Sequence, residues 1–294
     1  AHSSNLLRAW DFSLPDAGNA PLWNGYARRA VSAYVPLFEM EGDWESGKYG
    51  KSENDEELAV GAIKTLNHLA CEDRLKDRNG NYIGVTALMS LKGDVDNLGR
   101  IFQKGLGRDT FAKMAALSRQ MNAFFSVWLP WACKHYEVNG ERPYRNTYTV
   151  FAGGDDFFLI GPWRSQFLLA LSMREEFQKY TAHNPELHFS AGLSMNKPGL
   201  PIRQLVNGAN DALDQAKKCD GKNAVTCFRQ SLHWNRFVEI DKAREKLFEL
   251  SEKYSLSKGY LYDLLKLSEM AGGVKDRPEN AIWHSQFAYR TRRF

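Results

Sequence analysis

The segment Phe151–Phe158 places Gly153-Gly154-Asp155-Asp156 between two apolar, strand-forming runs. Asp and Gly are poor strand residues, so their position there calls for a chemical reason. The two glycines permit a tight turn with φ > 0 and leave room for a close ligand, and two adjacent carboxylates then stand where a strand begins. A second acidic pair lies upstream in Leu91-Lys-Gly-Asp-Val-Asp-Asn-Leu-Gly99. In strand alternation Asp94 and Asp96 share a face, while Val95 points away and leaves its carbonyl available as a ligand. Carboxylates gathered together repel one another, and burying them unpaired is costly. A divalent cation resolves that conflict. Asp94, Asp155 and Asp156, with the Val95 carbonyl, are therefore candidate ligands for two Mg²⁺ or Mn²⁺ ions. Two such ions suit phosphate chemistry, in which a hydroxyl is activated and a leaving phosphate stabilised. Taken alone, Gly-Gly-Asp-Asp reads as a solvated hairpin turn, and Asp96 or Asn97 as the N-cap of a following helix. The pairing of the two acidic clusters is what turns the reading towards metal.

A third element completes the set. Asn210-Asp-Ala-Leu-Asp-Gln-Ala-Lys-Lys-Cys-Asp-Gly-Lys-Asn223 has helical spacing that turns Ala209, Leu213 and Ala216 inward. Lys217 and Lys218 fall in its last turn, Gly221 stops it, and Lys222 lies in the turn beyond. Lysines at a helix C-terminus commonly complement the backbone dipole. Here Lys217 and Lys222 are also candidate contacts for a triphosphate tail.

The elements that must hold these residues can be read from periodicity. Ile83–Leu91 is a β-rich run, and Thr110–Tyr136 has helical spacing through Phe111, Met114, Leu117, Met121, Phe124, Phe125 and Trp128. Thr147–Phe151 and Phe157–Ile160 read as strands around the glycine turn. Trp163–Tyr180 reads as a helix, Leu187–Ser194 as a strand, Ile202–Lys218 as a helix behind Pro201, and Ala224–Phe228 as a last short strand. The fold class is α+β, a ferredoxin-like βαββαβ palm of the polymerase and nucleotide-cyclase type. Residues 81–229 form this palm, 230–294 a C-terminal α-helical domain, and 1–80 an irregular N-terminal segment with a polar loop at 41–57. The aromatic residues Phe102, Trp128 and Trp131 are assigned to a helix core rather than to base stacking. The basic, aromatic end Tyr289–Phe294 could touch RNA, a partner protein or solvent.

Composition sets the class. The chain has 294 residues, 43% hydrophobic and 25% charged, with a net charge of +4 that permits an acidic partner without requiring one. There is no long apolar run, so no membrane span is expected, and no basic-then-apolar leader opens the chain. Cys71, Cys133, Cys219 and Cys227 form no Cys-x-x-Cys pair, which points to free, packed thiols in a reduced cytoplasmic setting. The first residues do not read as a natural domain start, so a fragment, or ordered segments with intervening residues closed up, is expected.

The three elements occur in this order in GGDEF-type cyclases. A finer match is Leu91–Gly99 followed by Phe102 and Gly105, which resembles the large subunit of type III CRISPR effector complexes, the Cas ten family, with the subtype A member fitting best. Tyr26–Pro36 resembles the segment before that family's second palm, and Lys258-Gly-Tyr-Leu-Tyr-Asp-Leu-Leu265 its C-terminal helical domain. The resemblance implies a cyclic oligoadenylate synthetase for antiviral defence. Two ATP molecules would be joined 3′ to 5′ with release of pyrophosphate, on metals held by Asp94, Asp155 and Asp156 with a backbone contribution from Val95. Gly153 and Gly154 would let the chain approach the nucleotide, and Lys217 and Lys222 would contact the triphosphate. The implied partners are ATP, guide and target RNA within a multisubunit ribonucleoprotein, and other effector subunits.

The match has gaps. Many members carry an HD nuclease domain, yet none of the 7 histidines here is followed by Asp. The family's first palm and paired-cysteine zinc segment are not recognised either, so this chain alone is expected to bind ATP poorly. Two other readings compete. A diguanylate cyclase would have Glu at position 156, an Arg-x-x-Asp inhibitory site upstream where Tyr144-Arg-Asn-Thr147 stands, and often Asn where Phe102 stands. A catalytically silent scaffold for RNA would not need Asp94, Gly153, Gly154, Asp155 and Asp156 intact.

Overall fold

A computed structural model describes residues 34–40, 47–50, 58–77, 79–105 and 110–292, together with the backbone of 10–11 and 27–28. The chain divides into two compact units, residues 1–234 and 235–294. Most of Tyr26–Pro36 and of the expected loop at 41–57 lies outside the described residues.

In the first unit, a short helix α1 (Leu66–Cys71) stands in the segment expected to be irregular. Thr65 caps it, its hydroxyl accepting from the His68 N–H, and its buried face carries Leu69 and Ala70. Strand β1 (Leu88–Val95) starts later and runs further than the apolar run Ile83–Leu91 indicates. It is the central strand, and neighbours on both sides pair the backbone of Lys92, Gly93 and Asp94. Ladder bonds on both edges outweigh weak local propensity.

Helix α2 (Phe111–Ala123) continues through a wide turn, Phe124–Trp128, into α3 (Leu129–His135). Pro130 explains the interruption, because it lacks an N–H and its ring crowds the carbonyl four residues back. Phe111 is 89% exposed and Trp131 is 41% exposed, so neither is core, contrary to the periodic reading. Trp128 does pack, stacking on Phe124.

Strands β2 (Tyr148–Gly153) and β3 (Asp156–Pro162) form the hairpin around the glycines. Then follow α4 (Trp163–Tyr180), β4 (Phe189–Asn196), α5 (Ile202–Ala216) and β5 (Ala224–Cys227). A further strand, β6 (Gln230–His233), lies where helix was expected. It pairs with β5 immediately after Phe228 and Arg229, both left-handed, have turned the chain.

The sheet order is β6-β5-β4-β1-β3-β2, all antiparallel except β4–β5. The inner order β4-β1-β3-β2 is the ferredoxin-like βαββαβ plan expected from the sequence. Both faces are covered. On one, Phe157 and Phe189 meet Phe125 and Phe177 in an aromatic cluster from the sheet, the turn after α2, and α4. On the other, Leu88, Phe158 and Ile160 pack with Leu69 and Ala70 of α1 and Leu205 and Ala209 of α5. Gly93 faces the aromatic side, where a Cβ would fall 2.3 Å from the Phe157 ring.

Buried charges near α1 are compensated. Glu72 accepts from Lys64 at 2.7 Å, Lys48 at 2.6 Å and the Tyr49 hydroxyl at 2.8 Å. Burial works to raise its pKa, but the two ammonium groups outweigh it and hold the carboxyl below its usual range. Asp73 caps α4 from a distance, accepting from the Arg164 and Ser165 backbone N–H groups.

The second unit contains the remainder of α6 (Trp234–Tyr254), α7 (Lys258–Gly272) and α8 (Trp283–Thr291), helical beyond the β6 strand. Ser257 caps α7, and the Tyr260 hydroxyl meets Thr291 of α8 at 3.1 Å. Among the described residues no helix is long and apolar enough to cross a membrane. All four cysteines are free, three of them buried.

Candidate nucleotide and metal site

The two acidic clusters meet at one end of the sheet. Asp94 is the ladder partner of Asp156 on β3 and of Ser190 on β4. The Val95 N–H donates to the Asp155 carbonyl at 2.9 Å, which makes Asp94 and Asp156 the neighbouring non-hydrogen-bonded pair. In such a pair the Cα atoms stand about 4.5 Å apart and the side chains lie closest. One strand thus brings together residues far apart in sequence.

The glycines do what their conformation allows. β2 ends at Gly153, which pairs with Asp156, so Gly154 and Asp155 form a two-residue turn. Gly154 has φ +66°, as a type II′ turn requires at its first central position. The Asn122 side chain of α2 braces this turn: its Oδ1 accepts from the Gly154 N–H at 2.9 Å.

Charge at the site is mixed. The Lys217 ammonium, at the C-terminus of α5, lies 2.5 Å from Asp94 Oδ2, with the two side chains 31% and 29% exposed. Lys222 Nζ lies 3.0 Å from Asn97 Oδ1. Both lysines singled out in the sequence therefore reach the end of β1, each on a different residue. Burial pushes the Asp156 carboxyl above its usual range. Lys92 opposes that, Asp155 and Asp94 add to it by like-charge repulsion, and Lys217 works against it.

Asp96 parts company with Asp94. β1 ends at Val95, and Asp96 turns inward, 1% exposed, where Ser190, His188 and the Asn223 N–H converge on it. It is not the cap of the next turn. Asn97 holds that position, left-handed at φ 57° and with no side-chain capping bond.

Among the described residues, no three carboxylate, imidazole or thiolate groups form a ready-made metal cage. Mg²⁺ needs no such cage, since it takes one or two carboxylates and completes its shell with water and substrate phosphate. The donors at hand are the carboxylates of Asp94, Asp155 and Asp156 and the Val95 carbonyl, all hard oxygens. Repulsion among the three carboxylates is the physical reason a cation would be held there.

Lys92, Asn122, His188 and Ser190 were missed in the sequence. Lys92 had a signal, since it shares strand parity with Asp94. Asn122 had none, because only the packing of α2 on the hairpin brings it to Gly154.

Residues 87–226 match the family described as Cas10/Cmr2, second palm domain. The chain is 35% identical over 187 residues to a Methanocaldococcus jannaschii protein named CRISPR system single-strand-specific deoxyribonuclease Cas10/Csm1 (subtype III-A), covering 58% of this chain and 23% of that protein. A Csm1–Csm4 cassette solved in complex with AMPPNP aligns with TM-score 0.58 and 26% identity over 76% of this chain and 32% of that one. Its complex with cA4 aligns with TM-score 0.56 and 26% identity over 78% and 33%. The chain spans between 23% and 28% of the curated relatives it matches.

Proposed function

We propose that this chain, whose residues 87–226 match the Cas10/Cmr2 second palm domain and which is similar to Cas10/Csm1 subunits, joins ATP molecules 3′ to 5′ into cyclic oligoadenylate. The observation that carries the reading is the register of Asp94 against Asp156, with Lys217 on the same carboxylate. Relatives solved with AMPPNP and with cA4 support the adenine nucleotide as substrate class.

Asp94, Asp155 and Asp156, with the Val95 carbonyl, would hold two divalent ions. When bound, such ions make a ribose 3′-hydroxyl more acidic and offset the charge of the departing pyrophosphate. The protein's own contribution is position and electrostatics rather than a nucleophile. Gly153 and Gly154 present no side chain to the nucleotide, and Asn122 fixes the turn that aims the two aspartates. Lys217 and Lys222 bind triphosphate oxygens, Lys217 exchanging its bond to Asp94 for one to phosphate. The setting is a cytoplasmic ribonucleoprotein in which guide RNA, target RNA and other effector subunits, a Csm4-like chain among them, surround the palm.

The test is product analysis of the full-length subunit, assembled with its partner chains and target RNA, supplied with ATP or GTP and Mg²⁺ or Mn²⁺. Oligoadenylates that vanish when the cation is chelated are the expected product. Turnover of GTP alone would move the assignment to a diguanylate-type cyclase, and no product from either nucleotide would leave a scaffold. In the same assay Lys222→Ala should raise KM for ATP about tenfold and change kcat little, as loss of uniform binding does. A fall in kcat at unchanged KM would remove Lys222 from the phosphate contacts.

A further inference from the structure

Asp96 stands one residue from the candidate ligands, yet its carboxylate is spent on the protein. Oδ1 accepts from the Ser190 hydroxyl at 3.0 Å. Oδ2 lies 2.8 Å from the same hydroxyl, 2.8 Å from His188 Nδ1 and 3.0 Å from the Asn223 N–H. As a carboxylate Asp96 can only accept, so Nδ1 of His188 is the donor. Three separate segments meet on one side chain: the exit of β1, the entry to β4, and the turn before β5.

That turn is conformationally demanding. Gly221, Lys222 and Asn223 have φ of 70°, 54° and 49° in succession. For non-glycine residues the left-handed region is strained, more for Lys222 than for Asn223, so this conformation persists where surrounding bonds hold it. The Asn223 N–H bond to Asp96 is such a hold. Beside it, Lys222 Nζ reaches Asn97 Oδ1. Two adjacent links, 96 to 223 and 97 to 222, fasten the lysine turn to the strand that carries Asp94.

We propose that Asp96 is a positioning residue, binding no metal, that locks the Lys222 turn against the end of β1 so that the phosphate-binding cation and the metal-binding carboxylates keep a fixed separation. Its consequence for nucleotide binding rests on the nucleotidyl-transfer reading above.

The experiment uses the full-length subunit assembled with its partner chains and compares wild type, Asp96→Asn, Lys222→Ala and the double variant. Asn at 96 keeps one acceptor oxygen and turns an NH₂ towards groups that themselves donate. Hydrogen–deuterium exchange without nucleotide should be faster over residues 221–224 in Asp96→Asn, and unchanged protection overturns the proposal. Affinity is read with α,β-methylene ATP and Mg²⁺, a probe that binds but does not react. Each single variant should weaken binding about tenfold, and the double variant scarcely more than either, because both act through one turn. Effects that multiply to about a hundredfold would show that Asp96 does not act through Lys222. Where Asp96→Asn fails to assemble, Ser190→Ala removes one donor and should raise exchange in the same turn to a smaller degree; no change there overturns the proposal equally. The exchange arm needs no nucleotide, so it decides the question even where the wild type makes no oligoadenylate and the catalytic reading falls.

Discussion

Replacing Asp155 and Asp156 together by alanine is expected to reduce oligoadenylate formation by at least about a thousandfold while the subunit still folds and assembles. The asymmetry follows from where the carboxylates sit. Both lie at the turn of the hairpin, partly exposed, and neither side chain makes a salt bridge among the described residues. Burial and repulsion from Asp94 already push Asp156 up, so removing these charges relieves rather than breaks native contacts. Thermal stability should be unchanged or slightly higher, and RNA binding retained. The measurement pairs product formation from ATP with a melting curve and an RNA-binding assay on the same preparation. Undiminished synthesis by the double variant would end the two-metal reading. Loss of synthesis together with loss of folding would mean that the pair acts as structure.

How far the sequence carried depended on whether the signal was local. The Gly-Gly-Asp-Asp turn was legible because a turn's chemistry is written in the turn itself, and Gly154 adopts the positive φ that its position demands. The partnership of Asp94 with Asp156 was legible because a βαββ order places the first strand beside the hairpin. The fate of Asp96 was not. Strand alternation put it beside Asp94, but β1 stops at Val95, and the reversal of the next side chain depends on Ser190, His188 and Asn223, which lie far along the chain. Periodicity misplaced Phe111 for a similar reason. Helical spacing says which residues share a face, but not how much of that face the rest of the fold covers. Strand β6 was missed because Gln230–His233 is mostly polar and exposed and is a strand only through its pairing with β5.

The seating of α5 on the sheet carries the second large effect. Gly192 lies in β4, paired with Lys92 on one side and Thr226 on the other. A Cβ there would fall 2.2 Å from the Leu213 nitrogen, 2.6 Å from the Ala209 carbonyl oxygen and 2.6 Å from the Ala212 carbonyl carbon. All three are backbone atoms of one helix, so no rotamer change can relieve the clash; either α5 or β4 must move. Overpacking of a buried site typically costs about 1–3 kcal/mol, and the rigidity of the colliding atoms places Gly192→Ala at or above the top of that range. In a unit of this size that lowers Tm by roughly 6–12 °C. Gly208→Ala is the control. Its added Cβ would meet chiefly the Ser194 hydroxyl, at 2.6 Å, a side-chain end that can rotate away, so its melting point should lie much nearer the wild type. The displacement has a functional direction as well. α5 ends at the lysine that bonds Asp94, so shifting the helix off Gly192 pulls Lys217 from the carboxylates and should raise KM for ATP even at temperatures where the palm stays folded. A Gly192→Ala subunit that melts with the wild type would show that α5 does not rest on β4 at this point. One that loses stability while keeping its KM would separate the helix's packing from its part in holding nucleotide.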